Sequence, residues 1–203
     1  MTRSTAKRFL LLLFVLASGC AARGEGRISN LDPIPVHEGV NDLQRFAPDG
    51  RQALVVVGRQ DGALGQPADG ARHLVVTMLP RTVPDRGWDV VPVLDPEGRA
   101  ASLDTRDRTV RFARGKLSGM PATFLFVARP ADPGVLPGQA DSMRISIYRL
   151  AVGEDGGRFL PVGERLTRER FCTGDAALAR SVGLPLIWEP AGGGDRSGCG
   201  SGV

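Results

Sequence analysis

Between residues 50 and 170 the apolar residues come in short runs, and most runs are closed by glycine, proline or an Asp-Gly pair. That pattern restricts the chain more than any single motif, because runs of five to eight residues rich in valine and isoleucine suit strands and are too short for a helical period. "ALVVV" (53–57) and "HLVVTML" (73–79) flank a loop carrying Asp61-Gly62 and Asp69-Gly70. "WDVVPVL" (88–94) reads as an edge or bulged strand, since Pro92 cannot donate to a ladder. In "TVRFA" (109–113) Val110 and Phe112 share one face, and Thr109 and Arg111 the other. "ATFLFVA" (122–128) is apolar on both faces, as a central strand requires. "MRISIYRL" (143–150) and "RFLPVGERL" (158–166) enclose "GEDGG", a hairpin signal. With 27 glycines and 15 prolines in 203 residues, regular helices are expected to be few and turns many. One segment reads as helix, "TGDAALARSVG", with Thr173 or Asp175 as cap and Gly183 as terminator. The expected fold is mainly β, an antiparallel sandwich or meander of about seven strands with one short C-terminal helix. No internal repeat is evident.

The N-terminus has a different character. Arg3, Lys7 and Arg8 precede an apolar stretch from Phe9 to Ala17. As a helix, nine residues span about 13–14 Å, less than half of a hydrocarbon core, so a secretory signal fits better than a membrane span. The residues "LASGC" (16–20) place Ala17, Ser18 and Gly19 before Cys20. This segment resembles the lipobox of bacterial lipoprotein precursors, departing from it in having Ala17 where leucine is usual, with Leu16 one place earlier. The resemblance implies removal of residues 1–19, diacylation of Cys20 and, with Ala21 rather than aspartate next, an outer-membrane protein facing the periplasm. Each buried methylene contributes about 0.8 kcal/mol, so two or more acyl chains such as palmitate hold a protein stably. Ordinary cleavage at the same small residues would instead release a soluble periplasmic protein.

The expected organisation is a signal peptide (1–19), a lipidated flexible tether (20–35), one β-rich domain (36–190) and a Gly-rich tail (191–203). Removing the leader leaves 184 residues, enough for one core. The chain carries 26 basic and 22 acidic residues, and three of the basic ones belong to the leader. The remaining 23 against 22 give no reason to expect a nucleic-acid partner. Cys172 and Cys199 are the cysteines left, and an exported chain meets an oxidising compartment. A bond between them closes a loop of 28 residues, contributing roughly 3.5 kcal/mol on the chain-entropy model, and ties down the tail. A free buried Cys172, or an intermolecular bond through Cys199, are the alternatives.

Chemistry-bearing patterns are sparse. His37 and His73 stand far apart without HExxH or CxxC spacing, and "DGALGQPADG" lacks the alternating oxygen ligands of a calcium loop, so no metal or cofactor is expected. "GKLSG" (115–119) puts Ser118 one place late for a nucleophile elbow. Glu38, Asp42, Glu97, Asp104 and Asp107 could supply a carboxylate pair, or be solvated turn residues. In "DTRDRTVRFARGK" the residues Arg106, Arg108, Arg111, Arg114 and Lys116 could offer donors to phosphate or carboxylate groups of lipid, peptidoglycan or an acidic partner. Asp104 and Asp107 interleave with them, which also fits a charge-balanced exposed strand. "WDVVPVLD" and "FCTGDAALARSVGLPL" resemble stretches of proteobacterial envelope proteins, some of them named for carbapenem self-resistance. Three functions are therefore in view. The first is a non-enzymatic envelope lipoprotein whose domain binds a protein or envelope component. The others are a protein that protects by binding an antibiotic or lysozyme-like attacker, and a hydrolase with an unrecognised carboxylate site.

Overall fold

The computed structural model describes residues 26–59, 72–78, 88–101, 108–136, 138–154 and 156–185. These form eleven strands and one helix: β1 Ile28–Ile34, β2 Gly39–Leu43, β3 Ala53–Arg59, β4 Arg72–Met78, β5 Asp89–Val90, β6 Val93–Leu94, β7 Ala100–Ala101, β8 Thr109–Leu117, β9 Met120–Pro130, β10 Asp141–Gly153, β11 Gly156–Phe171 and α1 Gly174–Val182. They make a seven-stranded sheet in the order β1-β8-β9-β10-β11-β6-β7 and a four-stranded sheet in the order β2-β3-β4-β5. All pairings are antiparallel except β11 with β6, where Phe159 meets Val93.

The large sheet has two apolar faces, and alternation along β9 shows why. Leu125 and Val127 belong to a core shared with Val55, Val76 and Met78 of the small sheet. Phe124, Phe126 and Ala128 belong to a second core with Ile145, Ile147 and the helical Ala177 and Leu178. The small sheet thus covers one face of the large sheet, and α1 covers the other. Phe46, fully buried in the β2–β3 connection, sits in the first core with its ring centroid 5.6 Å from Phe112 and 6.4 Å from Phe159, both edge-on. The buried Thr123 hydroxyl donates to the Phe46 carbonyl, which ties this connection to β9.

The mainly β expectation holds, as do the doubly apolar β9, the β10–β11 hairpin and the helix. Thr173 is the cap, its hydroxyl accepting from the Ala176 N–H, while Gly183 ends the helix in the left-handed region at φ 72°. Helix and sheet meet closely at Gly174, where a β-carbon would lie 2.4 Å from the Thr109 hydroxyl oxygen. Two expectations need correction. Residues 28–34 are not tether: Ile28 pairs with Leu117 and Ile34 with Phe112, so the domain begins before residue 36. A bulge at Asn30 (φ 54°) puts both Ile28 and Leu31 against the helix-side core and Ile34 into the other. "WDVVPVL" is two strands, because the chain leaves the small sheet at Val90 and enters the large one at Val93 across Pro92. Among the described residues there are eleven strands, β2 and β7 being elements beyond the runs read as strands in the sequence. The tail 191–203 lies outside the described residues.

Candidate functional site

Among the described members of the five cations proposed as an anion site, Arg111 is turned away from Arg114 and Lys116. Arg106 lies outside the described residues. Arg111 points to the helix side, where its guanidinium meets Asp175 at 2.7 Å. Arg114, three residues on and therefore on the opposite face, donates to the carbonyls of Gln44 (3.2 Å) and Arg45 (3.3 Å). Arg108 has a partner of its own and lines a cleft of about 330 Å³ with Thr109, Leu136, Gln139 and the start of α1. Lys116 is exposed near the end of β8. Alternation along β8 thus separates Arg111 from Arg114 and Lys116, which are two residues apart on one face.

Arg114 does join a residue that sequence reasoning missed. A second cleft of about 480 Å³ is lined by Gln44, Arg45, Phe46, Pro48, Arg114 and Pro121, among others, with no carboxylate in its lining. Arg45 is exposed and holds a left-handed backbone at φ 52°, uncommon for a residue with a β-carbon. Nothing in the sequence around "LQRFAP" signalled this, because the cleft forms only when the β2–β3 connection packs on β8 and β9.

Other candidates are absorbed by structure. Ser118 and Gly119 (φ 51° and 86°) make the two-residue turn between β8 and β9, the mirror-type turn that matches strand twist. The Asp42 carboxylate accepts from the amides of Gln44 and Gln52, Glu97 pairs with Arg99, and Glu38 has a partner. Asp104 and Asp107 lie outside the described residues. Asp141, buried at the start of β10, is held below the ordinary carboxylate value chiefly by the Asp132 N–H donating to it, with the Ser142 and Ala131 N–H groups and Arg170 adding to the effect against the opposing influence of burial. Among the described residues no three His, Cys, Asp or Glu side chains gather to hold a metal ion. Cys172, just past β11, has a partner, and Cys20 and Cys199 lie outside the described residues.

The outer face of the small sheet is unlike the rest of the surface. Val40, Val56 and Val75 stand directly opposite one another across β2, β3 and β4. They are 63%, 37% and 41% exposed. In the next row the exposed Asp42 faces Leu54, which faces Thr77, which faces Val90, itself 65% exposed. Trp88, two residues before Val90, adds a partly exposed indole. An antiparallel sheet with one face in water ordinarily places polar residues at these positions. The inward positions Asn41, Val55 and Val76 are buried, so the valine row is an apolar stripe on the side away from the core. Asn41 is the polar exception inside, its amide donating to the carbonyls of His37 and Val55.

Two β-sheets packed face to face with a helix on the far side of the larger one define a class of fold before any relative is considered. Compared with solved structures, the chain is similar to the crystal structure of CarG, at a TM-score of 0.52 and 19% identity, over 76% of this chain and 99% of that chain. The likeness shows a shared fold. No family model and no curated protein matches the sequence.

Proposed function

We propose that the protein is a non-enzymatic lipoprotein, anchored through Cys20 to the outer membrane and facing the periplasm, whose domain binds a protein partner through the outer face of the small sheet. The cross-strand row Val40–Val56–Val75, with Val90 exposed in the neighbouring row, carries this reading. Contiguous exposed apolar side chains on an otherwise charged surface mark interaction sites, and covering Val40 and Val90 contributes on the order of 1 kcal/mol each. The small-residue segment before Cys20 supports the anchor, and it stands eight residues ahead of Ile28, the first strand residue.

The test places a photoreactive residue at position 40 or 90 in cells making the acylated protein. Both positions are expected to give the same discrete crosslinked protein, while position 166, an equally exposed leucine on the large sheet, gives none. Crosslinks of equal yield and pattern from all three positions would reject the sheet face as the binding surface. The anchor is read separately: a fatty-acid analogue should label the wild type and not Cys20→Ser.

A further inference from the structure

We infer that the β8–β9 hairpin end of the domain docks on the anionic headgroup surface of the membrane that holds the chain; this rests on the lipid anchor proposed at Cys20. The first described residues of β1 lie against the hairpin turn, since Ile28 pairs with Leu117 and the Ser118 N–H donates to the Arg27 carbonyl at 2.9 Å. Eight residue steps lead from Cys20 to Ile28, and an extended chain gains at most about 3.5 Å per step, so this end stays within roughly 28 Å of an acyl chain on Cys20.

The side chains at that end match a headgroup surface. Lys116 and Arg27 are exposed beside the turn. Arg45 and Arg114 line the neighbouring cleft together with Pro121, the register partner of Lys116. Asp32, opposite Arg114 on β1, is the carboxylate among these strand neighbours, while Asp49 is ion-paired with Arg51 at 2.8 Å. Four cations against Asp32 and Asp42, the latter bound to the Gln44 amide, leave this end positive. Met120, the residue after the turn, is 67% exposed, the highest exposure of any large apolar side chain among the described residues. An unbranched thioether at a narrow two-residue tip enters the interfacial layer at little steric cost, while arginine and lysine stems lie along it with their charges at the phosphates. Docking at this end leaves the valine row of the small sheet free for a partner.

The experiment uses the acylated full chain with Met120→Trp, reconstituted on vesicles of brominated phosphatidylcholine with or without an equal part of phosphatidylglycerol. The emission of the wild type, which carries Trp88 and Trp188, is subtracted. Quenching and a blue shift of the added tryptophan are expected only with phosphatidylglycerol. Each basic residue near an anionic surface changes the docked-to-undocked ratio about fivefold, so Lys116→Glu and Arg45→Glu should each lower it at least that much, with circular dichroism unchanged. Equal emission with and without phosphatidylglycerol, whether quenched or not, would overturn the inference. Failure of the anchor shows differently, as protein that takes up no fatty-acid label; adding phosphatidylglycerol vesicles to that soluble chain then still reads the docking.

Discussion

Phe46→Ala should destabilise the domain by about 4 kcal/mol, although the residue lies in a connection and not in a strand. Its ring is completely buried. Truncating a buried phenylalanine costs about 3–5 kcal/mol, of which the transfer of the ring is part and the cavity left behind the rest. Two edge-on neighbours, Phe112 and Phe159, place the expected loss in the middle of that range. The site also has little freedom to collapse, because the Thr123 hydroxyl and the Arg114 guanidinium both hold the backbone of residues 44–46 in place. Urea unfolding followed by tryptophan emission gives the check. With a slope of roughly 2 kcal/mol per molar for a domain of this size, the midpoint should fall by about 2 M with the slope unchanged. Leu166→Ala, at a residue 60% exposed, should move it by less than about 0.3 M. A fall of under about 0.5 M for Phe46→Ala would show that the two sheets do not close over this ring.

A double-mutant cycle on Arg111 and Asp175 should give a coupling of about 0.5–1 kcal/mol that shrinks with added salt, as befits a half-exposed pair joining β8 to the first turn of α1; zero coupling at low salt would return Arg111 to the pool of free cations. Asp141 has its folded-state value lowered from 3.8, so its contribution is present above the unfolded value and lost as pH falls through the folded one. The stability gap between wild type and Asp141→Asn should therefore be constant near neutrality and close in acid, measured by urea midpoints across pH. A non-reduced digest of protein exported to the periplasm should contain a Cys172–Cys199 peptide, and Cys172→Ser should cost about 3 kcal/mol; two free thiols would remove the bridge.

What could be read from the sequence depended on whether a segment's own residues decide its structure. Strands β3, β9, β10 and β11 announce themselves by β-branched runs with turns at their ends, and α1 by its cap and terminator. β1 escaped because the bulge at Asn30 resets the alternation, spacing Ile28, Leu31 and Ile34 by three where a regular strand shows two. β2 escaped because its inward residue is Asn41, whose polarity hides a buried position that three hydrogen bonds to carbonyls make acceptable. The change of sheet at Pro92 was legible as an interruption but not as a crossing, since nothing local names the partner strand. In the basic segment 106–116, alternation along β8 sets Arg111 on the helix side and Arg114 with Lys116 on the other. Arg45 and Arg114, 69 residues apart, meet only through the tertiary fold. The valines of the outer sheet face were visible as residues, yet one-sided exposure cannot be seen in a run that is apolar at every position.

The most direct test of binding through that face measures crosslinking from position 40 in cells, with and without Val75→Lys two strands away on the same row. Val75 is 41% exposed, so the lysine can reach water and the fold should keep its urea midpoint within about 0.3 M. The account predicts at least a tenfold drop in crosslinked partner, because a charge set in the middle of an apolar contact must be desolvated without a counter-charge. An undiminished crosslink from position 40 in the Val75→Lys protein would contradict it.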